Sequence, residues 1–123
     1  MIWLLDTSAL IKCSKLNKTD IFKKNYTYTT ILSLIEYPIA AQYKDLTIFF
    51  PSPLSFTNSL DYALKLRNQG TPIPIIDILN GAIAVEKKAN LVTDDAHFKV
   101  LNSIEPSLNV ITTADYLIEI QKV

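Results

Sequence analysis

Cysteine, glycine and histidine are scarce in this chain, which has one Cys, two Gly and one His among its 123 residues. The single cysteine, Cys13, excludes an internal disulfide and leaves no partner for a zinc site. Two glycines disfavour the Gly-rich loops that cradle phosphate groups. The only histidine, His97, has no His or Cys partner at ligand spacing. We therefore interpret His97 as an exposed or packed residue rather than a metal ligand.

Long hydrophobic runs are also missing. No apolar run approaches the roughly 20 residues that a membrane span requires, and Asp6 interrupts the first apolar stretch too early for a signal peptide. We expect no membrane association and a cytoplasmic location. The hydrophobic fraction of 49% and the charged fraction of 20% are typical of a globular protein. The length predicts a single domain over residues 1–123.

Four acidic residues lie where apolar sequence surrounds them. Each follows or interrupts its own apolar segment: Asp6, Glu36, Asp77 and Asp95. A carboxylate is costly to bury alone, so four of them, each tied to a separate apolar element, suggest convergence on a shared cation. Oxygen ligands of this kind suit Mg²⁺ or Mn²⁺.

The charge balance of the chain is even, with 12 basic and 12 acidic residues and a net charge of 0. Domains that bind nucleic acid are usually basic, so this balance argues against a nucleic-acid substrate. The argument weakens if a metal neutralises the four acids, because the remaining surface is then net positive.

Short β-like runs alternate with helical ones along the chain. This alternation predicts a mostly parallel sheet covered by helices on both faces. The predicted strands cover residues 2–5, 46–50, 91–93 and 109–111. The first predicted helix begins at a cap formed by residue 7 or 8. The other predicted helices cover residues 19–24, 31–43, 55–69, 75–89, 95–101 and 113–121. Ligands of such sheets bind beyond the carboxyl ends of the strands, where Asp6 and Asp95 lie.

Two of the predicted helices carry apolar residues at helical spacing. In the helix over 31–43, a kink at Pro38 would aim Glu36 toward the end of the sheet. Its predicted buried stripe consists of Ile31, Leu34, Ile35 and Ile39. In the helix over 55–69, the apolar side consists of Phe56, Leu60, Ala63 and Leu64.

Each acid also has a simpler structural interpretation. Asp6 could cap the following helix, although Thr7 and Ser8 could do so equally well. Glu36 could be an ordinary exposed helical residue. Asp77 could be a first-turn acid that the helix dipole favours. Of the adjacent Asp94 and Asp95, one could cap a helix while the other binds metal.

Four segments together resemble the PIN-domain ribonucleases, especially the VapC toxins of prokaryotic toxin–antitoxin pairs. They are residues 4–11 (LLDTSALI), 35–38 (IEYP), 77–84 (DILNGAIA) and 91–98 (LVTDDAHF). The resemblance covers nearly the whole chain and implies a PIN-like three-layer α/β/α fold with a mostly parallel central sheet. It also implies that Mg²⁺ or Mn²⁺ is held by Asp6, Glu36, Asp77 and Asp95.

Other residues of these four segments are expected to surround the implied metal site. Thr7, Ser8 and Thr93 match small hydroxyl residues that such proteins keep nearby. Two positions depart from the family pattern. Asp94 stands where Asn or Arg is usual, and it could bind metal, weaken the approach of phosphate, or face solvent. Asn80 replaces a commonly apolar residue.

The function that the resemblance implies is that of a metal-dependent endoribonuclease, the toxin of a VapBC-type pair. Its implied partners are RNA, a cognate VapB-type antitoxin and a second copy in a homodimer. A different class also fits, in which a catalytically silent PIN-like module binds RNA or a partner protein. A phosphate-transfer receiver would need a Lys late in the chain after a strand and a lone phospho-accepting Asp in mid-chain, and the pattern here fits it poorly.

Overall fold

The computed structural model describes residues 1–23 and 26–121, and its centre is a five-stranded sheet in which every paired strand is parallel. The strand order is β3-β2-β1-β4-β5. The strands are β1 Trp3–Leu5, β2 Thr27–Thr30, β3 Thr47–Phe49, β4 Asn90–Val92 and β5 Asn109–Ile111. This architecture confirms the predicted α/β class and parallel sheet.

In the described part of the chain, six helices cover the two faces of the sheet. They are α1 Thr7–Lys15, α2 Ile31–Glu36, α3 Pro53–Asn68, α4 Ile75–Glu86, α5 His97–Ile104 and α6 Thr113–Gln121. Two 3₁₀ turns, Asp20–Lys23 and Pro38–Gln42, complete the regular structure. Within the described ranges, no helix combines the length and the apolar character needed to span a bilayer.

The central strand β1 is buried on both sides, because neighbouring side chains of a strand point to opposite faces. Leu4 packs into a core with α3, α4 and α5. Trp3 and Leu5 pack into a second core with α1 and α6. The continuous apolar run at residues 2–5 is therefore the sequence signature of a strand covered on both faces.

Strand β2 was missed by the sequence analysis, which placed no strand between residues 5 and 46. Its sequence, TYTT, carries no apolar alternation, yet Thr27, Thr29 and Thr30 are all buried. Their hydroxyls find distant partners: Thr27 pairs with the hydroxyl of Tyr116, and Thr29 donates to the carbonyl oxygen of Leu5. Buried threonines are tolerated because these bonds satisfy them.

The single helix predicted over residues 31–43 was wrong. Helix α2 ends at Glu36, and Pro38 opens a separate 3₁₀ turn. A proline disfavours helical backbone at the residue before it, and Tyr37 accordingly has φ −135° and ψ 76°. The predicted stripe is split as a result, and Ile35 and Ile39 are exposed rather than buried.

Of the apolar side predicted for the helix over 55–69, only Ala63 packs against the core. Phe56, Leu60 and Leu64 of α3 are exposed, whereas Tyr62 and Leu66 are buried. The predicted helix over 19–24 is the 3₁₀ turn Asp20–Lys23 instead, and residue 24 lies outside the described residues.

Helices α4 and α5 approach each other closely at Gly81. A Cβ atom added there would lie 2.1 Å from Cδ2 of the fully buried Leu101 on α5. This contact fixes the distance between the two helices that carry Asp77 and His97.

Candidate active site

All four predicted acids line one cavity of about 590 Å³ beyond the carboxyl ends of β1 and β4. The parallel register explains this grouping, because Leu5 pairs with Val92 and the next residues of both strands emerge together. The remaining lining residues are Thr7, Ser8, Ile11, Pro74, Ile75, Ile76 and His97.

Asp6 caps helix α1, as its simpler structural interpretation predicted, and Thr7 and Ser8 do not take that role. Its Oδ1 accepts from the backbone N–H of Ala9 at 3.0 Å and from the Ser8 hydroxyl at 2.7 Å. Its Oδ2 accepts from the Thr93 hydroxyl at 2.5 Å. Burial, with a smaller contribution from the charge of Asp77, raises the pKa of Asp6 to about 6, while these hydrogen bonds act to lower it.

The raised pKa of Asp6 predicts a pH dependence of stability in the metal-free protein. The folded chain binds this proton more tightly than the unfolded chain, whose Asp has the ordinary pKa of 3.8. The stabilisation by this proton is therefore complete below about pH 4 and is lost as the pH rises through about 6. The free energy of unfolding should fall by about 3 kcal/mol over this range.

Urea denaturation in EDTA, at about pH 4 and about pH 7, checks this prediction. The quantity to follow is the difference in unfolding free energy between wild type and Asp6→Asn, because the subtraction removes contributions of unchanged groups. We expect this difference to shift in favour of the variant as the pH rises. A difference that does not change with pH would contradict the assignment of the raised pKa to Asp6.

Thr93 links two of the acids from a buried position below the cavity. Its hydroxyl donates to Asp6 and accepts the backbone N–H of Asp95 at 3.0 Å. Ser8 makes a parallel link, since its hydroxyl donates to Asp6 and accepts the backbone N–H of Asp94 at 3.0 Å. These two hydroxyls hold the loop after β4 against the start of α1.

Glu36 reaches the cavity from the last residue of α2. Its Oε1 accepts a hydrogen bond of 2.6 Å from the Thr7 hydroxyl. Glu36 is exposed, unlike the buried Asp6. The Thr7 bond therefore orients a carboxylate that stays open to solvent and to whatever enters the cavity.

Asp77, Asp95 and His97 form the tightest group of donor atoms in the described part of the chain. Their ligand atoms all lie within 4.8 Å of one another. Nδ1 of His97 lies 2.8 Å from Oδ2 of Asp77 and 3.1 Å from Oδ1 of Asp95. Burial raises the pKa of Asp77, and the hydrogen bond to Asp77 raises the pKa of His97.

The sequence analysis considered only His and Cys as partners of His97 in a metal site. In the structure its partners are two carboxylates, so that interpretation was incomplete. Asp77 is 20 residues away in sequence, and only the packing of α5 on α4 brings the two together. One local signal was available: His97 follows Asp95 by two residues, and its backbone N–H donates to Oδ1 of Asp95 at 2.9 Å.

Asp94 points away from the cavity. Its Oδ1 accepts the backbone N–H of Thr113 at 3.1 Å, at the start of α6, and its Oδ2 lies 3.7 Å from Nζ of Lys12. This geometry fits the separate expectation that one of the two adjacent acids caps a helix, although the helix is α6 rather than the one that follows Asp94.

Asn80 is buried under α2 and lies outside the cavity lining. Its Oδ1 accepts from the Thr30 hydroxyl at 2.6 Å, and its Nδ2 donates to the Ser33 hydroxyl at 3.2 Å. These bonds tie α4 to the start of α2, so the polar residue at this position connects the elements that carry Asp77 and Glu36.

The donor set of the cavity fits a divalent cation. Asp77 and Asp95 offer carboxylate oxygens and His97 an imidazole nitrogen within one cluster, and these are groups that divalent metals bind. Asp6 and Glu36 add negative charge on the cavity wall. Burial is the main cause of the raised pKa values of Asp6 and Asp77, and repulsion from neighbouring carboxylates in the cavity adds to it.

No family model matches the sequence, and no curated protein matches it as a relative. Solved structures do match. VapBC2 from Rickettsia felis, bound to a DNA fragment from its promoter, is 22% identical with a TM-score of 0.71, covering 91% of this chain and 98% of that chain. VapBC-1 from nontypeable Haemophilus influenzae is 18% identical with a TM-score of 0.73, covering 93% and 99%.

A third similar structure is VapBC-5 from Mycobacterium tuberculosis, a member of the VapBC family of toxin–antitoxin systems. It is 19% identical with a TM-score of 0.63, covering 90% of this chain and 96% of that chain. Identities this low establish a shared fold and assign no residue roles. The likeness confirms the PIN-like α/β/α fold that the sequence motifs predicted.

Proposed function

We propose that this chain is a metal-dependent endoribonuclease and the toxin of a VapBC-type toxin–antitoxin pair, with residues 1–123 as one domain. The observation that carries the proposal is the convergence of Asp6, Glu36, Asp77 and Asp95 on one cavity at the carboxyl end of the sheet. The fold shared with VapBC proteins supports it. Such an enzyme would act on cellular RNA in the cytoplasm.

Asp77 and Asp95 are the residues that would hold Mg²⁺ or Mn²⁺, with Asp6 beside them. A bound divalent cation supplies charge neutralisation at a scissile phosphate and lowers the pKa of water. Glu36, oriented by Thr7, can accept a hydrogen bond from the attacking water. Thr93 and Ser8 keep Asp6 and the loop of Asp95 in place.

The partners that we propose are an RNA substrate, a VapB-type antitoxin and a second copy of the chain. The antitoxin is supported by the likeness to VapBC-5, a member of the VapBC family of toxin–antitoxin systems. The homodimer rests on the family resemblance of the sequence motifs alone. An extra acid inside the cavity would favour the alternative of a catalytically silent module, because it would weaken the approach of phosphate. Asp94 does not lie there, since it is engaged with α6 and Lys12 outside the cavity.

Two neighbouring substitutions test the proposed chemistry. Asp95→Asn removes a charge from the cavity and is expected to reduce Mn²⁺-dependent cleavage of total cellular RNA at least ~100-fold, as loss of a preorganised electrostatic group does. Asp94→Asn makes the same chemical change one residue earlier, outside the cavity. It should leave cleavage nearly unchanged. The rate of fragment formation on a denaturing gel gives both answers.

Folding of both variants is checked by thermal unfolding. Asp94→Asn keeps an oxygen that can accept from Thr113, and the ion pair with Lys12 is largely exposed, so we expect a loss of no more than about 1 kcal/mol. Equal cleavage by wild type and Asp95→Asn would contradict the proposed site. Loss of cleavage in both folded variants would mean that the site extends beyond the cavity.

A further inference from the structure

Nδ1 of His97 already lies where a ligand atom of a shared cation would lie. Its distances of 2.8 Å to Asp77 and 3.1 Å to Asp95 match the spacing of neighbouring ligand atoms around one ion. Two ligands at right angles, each about 2.1 Å from a metal, are about 3 Å apart. A cation could therefore replace the direct contacts with little rearrangement of these three side chains.

The position of His97 is set by the fold. It is the first residue of α5, and its backbone N–H is bonded to Asp95. The next residue, Phe98, is fully buried and anchors the helix. The side chain of His97 is 44% exposed and that of Asp77 is 16% exposed, so an ion can reach the pair from the cavity.

We propose that His97 binds the catalytic cation directly through Nδ1, beside Asp77 and Asp95, and that this nitrogen ligand makes the site prefer Mn²⁺ to Mg²⁺. This role rests on the metal-dependent function proposed above. Mg²⁺ is a hard ion that is bound mainly by carboxylates, phosphates and water. First-row transition ions accept imidazole more readily. A set of ligands that combines oxygen and nitrogen atoms therefore discriminates between Mn²⁺ and Mg²⁺.

The single histidine of the chain makes the proposal directly testable. Mn²⁺ coordinated to an imidazole nitrogen shows nitrogen hyperfine coupling in pulsed electron paramagnetic resonance. In this protein, coupling of the imidazole type can arise only from residue 97, provided that any histidine tag has been removed. We expect the coupling in the Mn²⁺-loaded wild type and its loss in His97→Ala.

Calorimetric titration with Mn²⁺ and with Mg²⁺ measures the affinity of the site for each ion and hence its selectivity. His97→Ala removes the ligand and is expected to weaken Mn²⁺ binding at least about tenfold, as disturbance of metal-site partners does. Binding of Mg²⁺ should weaken less. His97→Asn places an amide near the former Nδ1 and can offer oxygen instead of nitrogen, so it should restore Mg²⁺ binding better than Mn²⁺ binding.

The outcomes separate this inference from the proposed function. Nitrogen coupling together with a fall in the Mn²⁺ to Mg²⁺ affinity ratio in His97→Ala supports the inference. Tight Mn²⁺ binding without nitrogen coupling, or an unchanged affinity ratio, overturns the role of His97 and leaves an all-carboxylate metal site standing. Failure of the folded, chelator-treated wild type to bind Mn²⁺ overturns the proposed metal site as well.

Discussion

Asp6→Asn is expected to abolish RNA cleavage, with a fall in rate of at least ~100-fold, while the protein remains folded. Asp6 is 4% exposed and lies on the cavity wall between α1 and β4. The substitution removes its charge and keeps its shape. Asn retains an oxygen that can accept from Ala9 and Ser8, so the cap of α1 is preserved.

Folding and activity should separate in this variant. At neutral pH the metal-free Asp6→Asn protein should be at least as stable as wild type, because a carboxylate whose pKa is raised to about 6 is ionised at a cost. Gel-based cleavage of total RNA and urea denaturation measure the two properties. A variant that cuts RNA as fast as wild type would show that Asp6 takes no part in the chemistry.

Gly81→Val is expected to destabilise the protein by about 3 kcal/mol or more, at the upper end of the cost of overpacking a core. Even a single Cβ atom at this position would lie 2.1 Å from Cδ2 of Leu101 and 4.0 Å from Cδ2 of Leu108. Leu101 is fully buried and has little space to move into. Either Leu101 would have to leave its rotamer or helix α5 would have to shift away from α4, and a shift of α5 would separate His97 from Asp77.

A double-mutant cycle tests whether the Leu101 contact is the cause. Leu101→Ala alone leaves a cavity and should cost about 2–5 kcal/mol. In Gly81→Val/Leu101→Ala, the valine occupies part of that cavity, so the combined loss should fall short of the sum by at least about 1 kcal/mol. Additive losses in chemical denaturation would contradict a direct clash between these two positions.

The grouping of the acids could be predicted because it depends on local sequence and one general rule. Asp6 and Asp95 follow apolar strands directly, and parallel strands bring their carboxyl ends to the same edge of the sheet. Strand β2 could not be predicted in this way. The burial of Thr27 and Thr29 depends on Tyr116 and on the carbonyl of Leu5, which lie far away in sequence.

The faces of the helices were harder to predict than their existence. Helix α3 carries apolar residues on more than one side, and the sequence does not reveal which side meets the core. The fold buries Tyr62, whose hydroxyl donates to Glu105 at 2.9 Å, and leaves Phe56 and Leu60 exposed. The contact between His97 and Asp77 could not be predicted for a similar reason, because it arises only when α5 packs on α4.

The measurement that tests the central claim most directly is RNA cleavage by chelator-stripped protein before and after Mn²⁺ is restored. Wild type should be inactive when stripped, should produce discrete RNA fragments on addition of Mn²⁺, and should lose them again with excess EDTA. Asp6→Asn, purified in the same way, should produce none under any of these conditions. Cleavage that persists in EDTA, or that Asp6→Asn retains, would contradict a metal-dependent nuclease built on these acids.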